Sequence, residues 1–221
     1  MEKFTANIKT TIYHKLNNMC LLYTSDAADE YRKFYEERAK RLSSLSLNQE
    51  YKIVGLFLFA VIQRAIATSG GIDVLIKDGN YESVMPLLRV LLDCSLLVRA
   101  NTLVESQPSF CTSILEGKRL NKLKDKNGEN LSEGGVAKSF DDLGWVIGVY
   151  NLYKALNMYV HFSPSHLKLI INEHKEIVLG ERMIIRNQEC VDNILDYYQA
   201  TTSVLIHTLD LFLDNLEQHQ L

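Results

Sequence analysis

One stretch constrains the fold of this chain more than any other. From about Asn48 to Ser69 it reads YKIVGLFLFAVIQRAIATS, apolar around nearly the whole circumference of a helix, and it stops at the Gly70-Gly71 pair expected after a helix C-terminus. A helix of that kind is expected at the centre of a fold, with other elements laid around it. Its most apolar window, Ile53 to Ile62, is interrupted by Gln63 and Arg64, well short of the roughly 20 residues of a bilayer span. The expectation is therefore a soluble protein without a membrane partner.

The neighbouring segments repeat with a period near 3.6, and only three prolines interrupt 221 residues. The expected fold class is mainly α, an up-and-down helical bundle forming one domain over residues 1–221. A first helix carries Phe4, Ile8, Ile12, Leu16 and Met19 on one stripe. A second, N-capped at Ser25 or Asp26, turns Tyr31, Phe34, Tyr35 and Leu42 inward and covers its solvated side with Arg32, Lys33, Glu36, Glu37, Lys40 and Arg41. After Asp78-Gly79-Asn80 comes YESVMPLLRVLLDCSLLVRANTLVE, a second buried helix with Pro86 near its start, followed by a short helix from Pro108.

Between Lys118 and Lys138 charges and glycines dominate, so residues from about 124 to 138 are expected as a flexible surface loop. Helical periodicity resumes near Phe140 and runs to the stop at Ser163-Pro164. The β-branched runs LKLII and EIVLGERMII then predict a small β-hairpin near residues 167–186. In the last helix Val191, Leu195, Tyr198, Thr202, Leu205, Leu209, Phe212 and Leu216 alternate steps of four and three. That seam serves either the protein's own core or a homodimer contact.

Composition excludes several function classes. A formal net charge of −3 gives no global positive field for a phosphate backbone, so nucleic-acid contact has to be local. Cys20, Cys94, Cys111 and Cys190 form no CxxC pair, and the start MEKFTANIKTTIYHK lacks the apolar core of a signal peptide. Both point to reduced thiols and a cytoplasmic setting. No P-loop, GxGxxG, HExxH or GxSxG motif occurs, and no cofactor is expected. His161 and His166 are separated by the Ser163-Pro164 break, so no metal site is expected either. The basic residues Lys118, Arg119, Lys122, Lys124 and Lys126 alternate with Asp125 and Glu129, and read as a solvated loop.

Two constellations stand out. Lys154, Asn157 and His161 share one helix face at i, i+3 and i+7: the imidazole can exchange a proton near neutral pH, Lys154 can meet a phosphate, and Asn157 can orient the ring. The bland alternative is a helix-end imidazolium favoured by the macrodipole, with Lys154 simply solvated. The second is Arg89 and Asp93, four apart on a strongly apolar helix with Glu82 on the same stripe. Burial there demands further polar partners, for which Asn157, Tyr153 and His161 are available, and Arg64 on the preceding helix is a further charge that can join. That cluster is either a structural ion pair or the lining of a small-ligand pocket.

YNLYKALNMYVHFSP, Tyr150 to Pro164, resembles the terminal-helix motif of the HEPN superfamily, and LLRVLLDCSLLVRA resembles an arginine-then-acid helix in an uncharacterised bacterial branch near it. The resemblance implies an up-and-down bundle, often dimeric, and in active members a metal-independent endoribonuclease in stress or phage defence whose motif is an Arg, four to six residues, then a His. His161 matches the histidine and Asn157 the polar residue within the motif, while Lys154 stands where the arginine would be. Lysine offers a point charge where arginine offers a bidentate fork. RNA or a nucleotide is the expected partner. The alternative is a non-catalytic helical domain that binds a protein or a small ligand.

Overall fold

The structure is a computed structural model in which residues 25–142, 146–160, 171 and 188–219 are described. The fold is mainly helical. Among the described residues seven α-helices follow one another: α1 (Ser25–Ser44), α2 (Lys52–Lys77), α3 (Tyr81–Asn101), α4 (Gln107–Leu115), α5 (Glu133–Asp142), α6 (Val149–Val160) and α7 (Gln188–Leu216). No strand occurs among the described residues. The expected hairpin at 167–186 lies outside them apart from Ile171, as do the expected first helix and His161.

α3 is the helix that the others surround, flanked by α2, α5, α6 and α7. It begins where Asn80 Oδ1 accepts from the Ser83 amide at 3.3 Å, and Pro86, its sixth residue, lies on the exposed side of the helix. Val84, Met85, Leu88, Leu91, Leu92 and Leu96 are all buried in one continuous cluster with residues of the neighbouring helices.

α2 departs from expectation at both ends of the argument. It continues through Gly70 and Gly71 to Lys77, because Ile72 beyond them is fully buried and Leu75 and Ile76 also pack on the core. Two helical glycines cost about 1 kcal/mol each relative to alanine, less than burying those three side chains returns. The helix stops at Gly79, whose φ of 74° is left-handed. The Gly79 amide then donates to Ile76 O at 2.9 Å and the Asn80 amide to Leu75 O at 2.8 Å, closing the last turn. α2 is also not enclosed. Long and apolar enough by composition to cross a membrane, it is packed by α1, α3 and α4, while Leu56, Phe59 and Val74 stay open to solvent.

Two further expectations are corrected. The region expected as a loop closes into a tight turn at residues 124–130, where Lys124 bridges Asn130 and Asp125 Oδ1 accepts from the amides of Asn127 and Glu129, each at 2.9 Å. From Glu133 it is the helix α5, capped by Ser132 Oγ on the Gly135 amide and held by buried Val136, Ala137 and Phe140. The single helix expected from Phe140 onward is two. α5 ends at Asp142, and Asp141 caps the next helix by accepting from the amides of Gly148 at 2.7 Å and Val149 at 3.1 Å, with Gly148 at a φ of 94°.

α7 returns its seam to the core of its own chain. Tyr198, Thr202, Leu205, Leu209, Phe212 and Leu216 are buried, while Val191 lies outside the residues whose burial is described. α1 meets α7 through guanidinium clamps: Arg38 donates to both carboxylate oxygens of Asp210, at 2.9 and 2.6 Å, and Arg41, expected on the solvated side, reaches Asp214 and Glu217, both at 2.6 Å. Leu209→Ala is therefore expected to cost about 2–5 kcal/mol of unfolding free energy. Chemical denaturation should give that loss independently of protein concentration, since the seam is internal.

Candidate functional site

Arg89 is the centre of the polar cluster in this fold, and it is 5% exposed. A guanidinium that deep has to place its donors on protein acceptors. Three helices supply them. Asp93, one turn on along α3, makes an ion pair with Nη1; Glu133, the first residue of α5, accepts from Nη2 at 2.7 Å; and Asn157 of α6 accepts from Nε at 2.7 Å through Oδ1. The guanidinium carbon also lies 4.7 Å from the ring centre of Tyr153.

From that ring the contacts continue outward along α6. Tyr153 and Tyr150 stack at 6.5 Å with 11° between their planes, and Lys154 Nζ stands 4.5 Å from the Tyr150 ring centre. The i, i+3 spacing of the two tyrosines and the i, i+4 spacing of Tyr150 and Lys154 produce this run of three groups on one helix flank. Its outer end is open. Lys154 is exposed, while Asn157 is half-buried and turned to Arg89. The α5 backbone lies close beside the aromatic pair, since a Cβ at Gly134 would stand 3.7 Å from Tyr153 Cε1.

The residues singled out in the sequence thus divide. Arg89, Asp93, Tyr153 and Asn157 come together in one cluster, with Lys154 at its rim. Arg64 stands apart: it is exposed on α2, while the hydrogen bonds and ion pairs of Arg89 among the described residues go to Asp93, Glu133 and Asn157. His161 follows α6 in sequence and lies outside the described residues. Sequence reasoning missed Glu133 and Tyr150. The signal for Glu133 was its position after a serine and before Val136, Ala137 and Phe140, a helix start hidden by two glycines.

α3 holds a second buried guanidinium, Arg99, 2% exposed. It donates to Ser139 Oγ at 3.0 Å and Thr102 Oγ1 at 2.8 Å, and lies 5.8 Å from the Phe140 ring centre; burial lowers its pKa. Through Ser139 it ties α3 to α5.

Among the described residues no group of three His, Cys, Asp or Glu is placed to hold a metal ion. Cys94 and Cys111 are not nucleophiles. Cys94 and Cys111 are free and buried, and burial pushes their thiols up to about 11 and about 12. Compared with protein-family models, with curated proteins and with solved structures, the chain matches none.

Two outcomes follow from these environments. Asn157→Ala leaves Nε of Arg89 without its acceptor and should cost about 1–3 kcal/mol by denaturant titration, whereas Asn157→Asp keeps an acceptor oxygen and should cost less. The thiols are raised above the ordinary 9.0, so their contribution is complete below that pH and is lost as pH rises through the folded values. Thermal melts should therefore move down from pH 9 toward pH 12, and a Cys94→Ala/Cys111→Ala chain should move less.

Proposed function

We propose that this chain is a HEPN-like up-and-down helical bundle that acts on RNA or a nucleotide, with its working face on α6. The contact that supports the reading best is the hydrogen bond from Arg89 to Asn157, because it joins the two stretches of sequence that resemble the superfamily. Asn157 stands three residues after Lys154 and four before His161, so the face that α6 offers carries a cation and an amide and is followed in sequence by an imidazole.

In this reading each residue has a separate task. His161 takes the proton of a ribose 2′-hydroxyl, whose oxygen attacks the adjacent phosphorus; the bond to the 5′-oxygen breaks and that oxygen leaves after accepting a proton. The phosphate ends as a cyclic 2′,3′-diester. Lys154, exposed at the rim, meets the non-bridging phosphate oxygens, and Tyr150 beside it offers a face for a base. Arg89 is a positioning residue, since its donors are already held by Asp93, Glu133 and Asn157. It fixes Asn157, and Asn157 fixes the face.

One observation favours a second reading, a non-catalytic helical domain that binds a protein or small ligand. The cluster balances its charges: Arg89 and Lys154 stand against Asp93 and Glu133, which leaves no local positive excess to draw a polyanion.

The two readings separate on one experiment. Purified protein is incubated with a short single-stranded RNA in excess chelator, beside His161→Ala and Lys154→Ala purified in the same way. Metal-independent cleavage is expected, lost by a factor of about 100 or more in His161→Ala and weakened in Lys154→Ala, with Lys154→Arg active. Cleavage unchanged in His161→Ala removes the histidine from the reaction. Absence of both cleavage and RNA or nucleotide binding at low salt moves the chain to the second reading.

A further inference from the structure

Three sides of α2 are covered, by α1, α3 and α4. The fourth is open. Leu56, Ala60, Gln63, Ala67, Gly70 and Val74 are all exposed, and they step along the helix by four, three, four, three and four, which keeps them on one straight seam. Leu56 is 57% exposed, Val74 64%, and Phe59 beside the seam 40%. The seam is about 27 Å long at 1.5 Å per residue. Leu56 and Val74 at its ends and Phe59 beside it are large apolar side chains open to water, with Ala60, Ala67 and Gly70 leaving the line between them shallow.

Reversed, the seam is its own complement. With two copies antiparallel about residue 65, Leu56 faces Val74, Ala60 faces Gly70 and Gln63 faces Ala67 of the second copy. Large meets large at the two ends, Ala60 meets Gly70 inside them, and at the centre each Gln63 lies over an alanine, so the backbones can approach closely. No atom lies within 4 Å of where a Cβ of Gly70 would stand, which leaves room for the Phe59 ring of the second copy. The same operation sets Lys52 opposite Asp78 at each end, opposite charges, whereas a parallel pairing sets Lys52 on Lys52. Arg64, exposed next to Gln63, keeps its charge at the flank.

We infer that this chain associates with a second copy of itself through α2, as an antiparallel two-fold contact along the seam from Leu56 to Val74. The α7 seam does not compete for the role, because it is spent inside the chain. A contact of about 27 Å by about 10 Å covers about 270 Å² on each copy, smaller than a standard interface, so association is weak and concentration-dependent.

The full-length chain is followed by light scattering and sedimentation from about 1 to about 200 μM, a range that spans micromolar affinities. The expected result is a monomer that becomes a dimer. Ala60→Glu should keep the chain monomeric with its melting temperature unchanged, because residue 60 is exposed in the single copy. Adding Gly70→Lys to it should restore the dimer, since residues 60 and 70 meet only across an antiparallel pair and lie about 15 Å apart within one helix.

A wild-type chain that stays monomeric throughout overturns the inference, as does a dimer indifferent to Ala60→Glu. A lowered melting temperature in Ala60→Glu with no change in mass assigns the seam to cover by another segment of the same chain. A double variant that remains monomeric removes the antiparallel register.

Discussion

Arg89 and Arg99 stand nearly three turns apart on the most enclosed helix of the fold, 5% and 2% exposed. Neither charge can be kept there without acceptors, and the side chains that supply them come from α5 and α6 as well as from α3 itself. α5 is the clearest case. Ten residues long with two glycines in its first turn, it would be marginal alone, yet its first residue bonds Arg89 and its seventh bonds Arg99. The buried side chains of Val136, Ala137 and Phe140 then seal it against α3 and α6. α6 is fixed by the same demand through Asn157 and Tyr153. The polar cluster is thus a consequence of placing guanidiniums in an apolar helix, before any question of function arises.

This explains which parts could be read from the sequence. That Arg89 needs polar partners follows from its place on an apolar helix, and Asn157 and Tyr153 were available on a neighbouring amphipathic one, so that grouping was legible. Glu133 was not, because two glycines and a charged run before it resemble a loop, and three apolar positions are too few to establish a period. The end of α2 shows the same limit: Gly70-Gly71 is the stronger compositional signal, but the stop lies at Gly79, where the backbone turns left-handed. The Asp141 cap on α6 spans seven residues and a change of chain direction, which no local pattern encodes. Periodicity identifies a face and is silent on what occupies it. The α7 seam reads as a heptad and is filled by its own chain, while α2 reads as apolar all round and leaves one face open.

The distinction between a face and its occupant also bears on chemistry at α6. An anion approaching this end of the fold meets Lys154 first, since Arg89 is enclosed. Two carboxylates hold the guanidinium, and they are not equivalent: the Glu133 side chain is 52% exposed and that of Asp93 36%, and Glu133 belongs to a different helix while Asp93 shares α3. Exchanging one anion for another on the same nitrogen changes the Coulomb energy little, whereas removing an anion with nothing in its place leaves a buried charge uncompensated. Of the two, Glu133 is the more open to solvent, and its loss without a replacement would leave Nη2 of Arg89 without its counter-charge. Because Glu133 is the first residue of α5, that bond also fixes the start of the helix that braces Arg99, so the cluster beside α6 and the packing of the core share one support.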